Sequence, residues 1–200
     1  MPSDNSRPRR PAFRAPAMLE ALGEGVDPIA QLHAAHETAA VLLHTGRASG
    51  DPAVTERLVD IVGEIGLSTL ADLWATRPAR TLPGALWRLY FLREWMRTDS
   101  AGVARCYAAG VRFTEPNHVV AGIDPPRPED VQRVADDLMR GAFTGDFAVA
   151  LERAAAFCHV TSAGSAELRG LEPLARSAKL QEMAADLTAC ARLWRAGDLR

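Results

Sequence analysis

Leu82-Pro83-Gly84-Ala85-Leu86-Trp87-Arg88-Leu89-Tyr90-Phe91-Leu92-Arg93-Glu94-Trp95-Met96 is the stretch whose reading decides the fold. At about 100° per residue, Leu82, Leu86, Leu89 and Met96 share one side of a helix, and Trp87, Phe91 and Trp95 share roughly the opposite one. A helix apolar nearly all round is either a membrane span or a buried core helix. This one is too short and carries too many charges to cross a bilayer. It therefore predicts the central helix of a helical domain, with Trp87 and Phe91 both buried.

Working outward, the flanking sequence repeats one kind of helix start. Asp27-Pro28 and Asp51-Pro52 each place a capping carboxylate before a proline suited to the first helical turn. The first of these helices carries Ile29, Leu32, His36, Ala39 and Leu43 on one face and ends near Gly46. The second carries Val54, Leu58, Ile61, Val62 and Ile65 and ends at Gly66. A short helix after Ser68 holds Leu70, Leu73 and Trp74 and stops at Pro78. Beyond the central stretch, Asp99 or Ser100 opens a helix with Val103, Cys106 and Tyr107, closed by Gly110.

Residues 111–127, with Pro116, Pro125 and Pro126, break the helical pattern and read as a connector, with room for an extended piece at 118–121. Helices resume at Pro128 (Val131, Val134, Ala135, Leu138, Ala142), near Gly145 (Phe147, Leu151, Ala154, Ala155, Cys158) and at Pro173 (Leu180, Met183, Leu187, Cys190, Ala191, Trp194). The fold class is all-α: a compact multi-helix bundle, or an irregular array of antiparallel helix pairs of the HEAT kind. The array is suggested by Asp51, Asp99 and Asp146, which recur near helix starts at intervals of 48 and 47 residues.

Residues 17–200 form one helical domain on this reading, divisible into halves 17–110 and 128–200. Residues 1–16 form a tail rich in proline and arginine (Arg7, Arg9, Arg10, Arg14) that cannot bury enough apolar surface to offset its ordering entropy. Through that tail alone the chain could touch nucleic acid, because its net charge of −2 offers no general attraction to polyanions. No apolar run suits a membrane span and no apolar signal region follows the N-terminus, so the expectation is a cytoplasmic protein. Three widely spaced cysteines without a CxxC pair read as reduced core thiols.

Candidate chemistry is sparse. His33 and Glu37 stand at i, i+4 with His44 near the same stripe, but a helical metal site needs ligands from a facing helix, and no matching motif occurs. No cofactor is implied. Asp136-Asp137 lacks the further carboxylate of a magnesium clamp, and no Gly-x-Ser-x-Gly elbow or phosphate loop is present. Arg88 lies between Leu92 and Trp95 on the helical circumference, so its guanidinium needs an anion. That anion is either an acidic side chain of another helix or a ligand in a cleft with Trp87 and the connector's His118. Trp74 and Trp194 are candidates for an exposed aromatic patch.

Three segments, Leu82–Tyr90 (LPGALWRLY), Asp51–Val62 and Arg140–Cys158 (RGAFTGDFAVALERAAAFC), resemble a small family of all-helical proteins from high-GC actinobacteria with no established activity. The resemblance spans most of the chain beyond the tail and implies a cytosolic bacterial protein; it assigns no functional residues. With no catalytic constellation, the sequence favours a non-enzymatic interaction or regulatory module, partnered by another protein or a second copy. A small-molecule or anion-binding helical protein with a pocket near Arg88 is the alternative.

Overall fold

The computed structural model describes residues 27–122, 127–168 and 171–200. Among them the fold is all-α and compact, and no strand occurs. The basic tail, including Arg7, Arg9, Arg10 and Arg14, lies outside the described residues.

Local chemistry sets the starts of the helices. Helix α1 (Pro28–Ser49) is capped by Asp27, whose carboxylate accepts from the Ile29 N–H at 2.9 Å, and it closes on Gly50 at φ +60°. Asp51 does the same for α2 (Pro52–Val59) through the Ala53 N–H at 2.8 Å. The helix expected to run on to Gly66 instead breaks at Asp60 into α3 (Ile61–Ile65). The Asp60 carboxylate lies 3.3 Å from Arg93 on another helix, a partner that local sequence does not reveal. Helix α4 (Leu67–Trp74) follows, and α5 (Leu82–Thr98) opens on Thr81, whose hydroxyl accepts from the Gly84 N–H. Asp99 caps α6 (Ser100–Gly110).

As far as Gly122 the connector is helical, where Pro116 suggests a break; Pro125 and Pro126 lie outside the described residues. A 3-10 turn (Val111–Phe113) leads into α7 (Glu115–Ala121), with Pro116 in its first turn, where a missing N–H costs nothing. Gly122 at φ +64° ends it. His118–Ala121 is helical, not extended. Helices α8 (Pro128–Thr144), α9 (Phe147–Glu167) and α10 (Leu171–Ala196) complete the fold.

The innermost helix is α9, a correction to the expectation for the Leu82–Met96 stretch. Alanines and other small residues bury α9 on nearly every side, from Phe147 and Ala148 through Ala154–Cys158 to Gly164 and Ser165. It packs against α6, α7, α8 and α10. With α10 it forms an antiparallel hairpin, joined by Glu152–Arg195 at one end and Ser162–Ser177 at the other. Against α6 it crosses glycine to glycine. A Cβ on Gly164 would collide with the Cys106 carbonyl, and one on Gly110 would collide with that of Val160.

Helix α5 is covered on one side only. Leu86, Leu89, Tyr90 and Met96 are buried, and Tyr90 donates to the Leu58 carbonyl at 2.6 Å. Trp87 is half-buried against the core and Phe91 is 43% exposed, contrary to the expectation that both are buried. The α1 stripe is likewise covered only in part. Ala39 and Leu43 are buried, but Ile29 is 66% exposed and Leu32 39%. The buried residues form one cluster drawing on elements both before and after the connector.

Candidate functional site

The open side of α5 faces α10 across a groove. Two adjoining cavities of about 250 and 270 Å³ share Phe91, Lys179 and Met183. One extends to Trp87, Arg88 and Asp186, the other to Trp95, Leu180 and Arg176. The floor is aromatic because residues 87, 91 and 95 recur every four positions, one above another along the helix. The Trp87 and Phe91 rings lie 5.9 Å apart, tilted by 43°.

Arg88 is 20% exposed at the rim of this groove. Its Nη2 donates to Asp186 Oδ2 of α10 at 3.0 Å and its Nη1 to the Gly84 carbonyl at 3.1 Å. Asp186 also accepts from Arg80 Nε at 3.3 Å. Arg88 is thus paired with an acidic side chain of another helix. Further along the same helix face, Arg176 pairs with Glu172 at 3.4 Å. Lys179 and Glu182 line the groove with no ion pair of their own among the described residues.

The other sequence candidates fall elsewhere. Trp74 belongs to the core and not to an exposed patch. It is fully buried, stacks near Tyr90 and donates Nε1 to the Ala35 carbonyl at 3.2 Å. Trp194 is half-covered, edge-on to Phe147 at 5.0 Å with the Arg47 guanidinium 5.8 Å from its ring centre. His118 does not line the Arg88 groove. It sits on α7, where its Nδ1 meets the Tyr107 hydroxyl at 3.1 Å. His33, Glu37 and His44 are all exposed on α1. Among the described residues, no group of three or more His, Cys, Asp or Glu side chains is arranged to hold a metal ion, and no helix is long and apolar enough to cross a membrane.

The three cysteines are free and buried. Burial pushes the Cys158 thiol up to about 12 and the Cys190 thiol up to about 11, so neither is a nucleophile near neutral pH.

The sequence reading passes over the most buried guanidinium described here. Arg93 is 3% exposed, with Nε donating to Asp136 at 2.7 Å and Nη2 to Asp60 at 3.3 Å. A signal for it does exist. Arg93 stands seven residues after Leu86, two helical turns along the same buried side, whereas Arg88 stands at the edge. Beside it, Arg140 makes two bonds to Glu56, at 2.6 and 3.0 Å, which hold the Glu56 carboxyl below the usual range. The charges of this cluster satisfy one another, so it ties α2, α5 and α8 together without presenting an unmatched group for chemistry.

The groove has an exposed aromatic floor and, among the described residues, two charges of opposite sign without an ion-pair partner. It is the feature best suited to bind something. Comparison of the chain with protein-family models, with curated proteins and with solved structures finds no match.

Proposed function

We propose that this chain is a non-enzymatic helical interaction module of the bacterial cytoplasm, docking a partner protein through the groove between α5 and α10. The observation that carries this reading is the uncovered aromatic side of α5, with Phe91 43% exposed between the half-buried Trp87 and Trp95. Clustered aromatics at the centre of a patch with a charged rim have the composition of a binding hot spot. Arg88 is already bonded to Asp186 and a carbonyl, which favours a docking surface over an anion site. The fitting partner is an amphipathic helix with an apolar face and charges of both signs along its edges. The cytoplasmic placement rests on the sequence resemblance.

The test uses Phe91→Asp, which places a charge on the groove floor without touching the leucine side of α5. Tagged wild-type protein offered to a bacterial lysate should recover a specific protein that Phe91→Asp loses, while the variant keeps the wild-type helical circular dichroism. Undiminished capture by the folded variant would rule out the groove as the docking surface.

A further inference from the structure

We draw no further inference here: the strongest candidate, the aromatic-floored groove between α5 and α10 at Phe91, Trp95, Leu180 and Met183, belongs to the surface already described, and nothing in the structure shows what covers it.

Discussion

Gly164→Ala should destabilise the protein by about 3 kcal/mol or more, although alanine is the better helix former by about 1 kcal/mol. A Cβ at this position would collide with the Cys106 carbonyl oxygen of α6, and the obstacle is backbone, which cannot rotate away. The reciprocal crossing at Gly110 against Val160 leaves no room to shift. To accept one methyl group, α6 would have to move off α9 and open the packing of Tyr107 on Phe157, whose rings lie 5.1 Å apart. Gly141→Ala is the internal control. That glycine is also helical, but a Cβ there meets nothing nearer than Ala150 at 3.9 Å, so the substitution should be neutral or stabilising by up to about 1 kcal/mol. Urea unfolding of the two variants checks the contrast. Equal effects would mean that the α6–α9 crossing is looser than described.

Removing the Arg93 guanidinium should cost about 2–3 kcal/mol, because Asp136, 21% exposed, loses a charged hydrogen bond, while Asp60, 59% exposed, is rehydrated. In Arg93→Ala, Asp136 keeps Arg97, at 3.8 Å, among the described residues, and Asp60 loses its bond across to α5. Arg93→Met keeps most of the side-chain volume and should lose less, since part of the penalty is the cavity. Arg88→Ala should cost clearly less than Arg93→Ala, because Arg88 is partly solvated and Asp186 keeps Arg80. Chemical denaturation of the three variants ranks them. Arg88→Ala matching Arg93→Ala would contradict the assignment of Arg93 as the buried tie between α2, α5 and α8.

What can be read from the sequence follows the range of the interactions involved. The capping aspartates 27, 51, 99 and 146 act on N–H groups two or three residues away, so those helix starts are legible. The break at Asp60 is not, and the partner of its carboxylate, Arg93, lies 33 residues further along the chain. Helix α7 reads as a connector because Pro116 looks like a breaker, whereas it occupies a first-turn position.

The largest difference concerns which helix is innermost. Large apolar residues make α5 look central, but α9 occupies the centre because alanine and glycine let four neighbours approach it closely. Small side chains contribute little to an apolar pattern, so a helix buried through them looks ordinary. Trp74 likewise reads as a surface residue because its acceptor, the Ala35 carbonyl, lies 39 positions away. For the candidate site, the aromatic spacing at 87, 91 and 95 is visible in the sequence, but which side of α5 lacks a cover is decided by where α10 lies.

The central claim is that α5 is packed on its leucine side and open on its aromatic side. The most direct measurement compares the unfolding free energies of Leu86→Ala and Phe91→Ala in urea, at protein concentrations low enough for single chains. Leu86 is fully buried, so its truncation should cost about 2–5 kcal/mol. Phe91 is the larger side chain, yet at 43% exposure its loss should cost about 1 kcal/mol or less. A Phe91→Ala cost equal to or greater than that of Leu86→Ala would place the aromatic side in the core and remove the groove from the account.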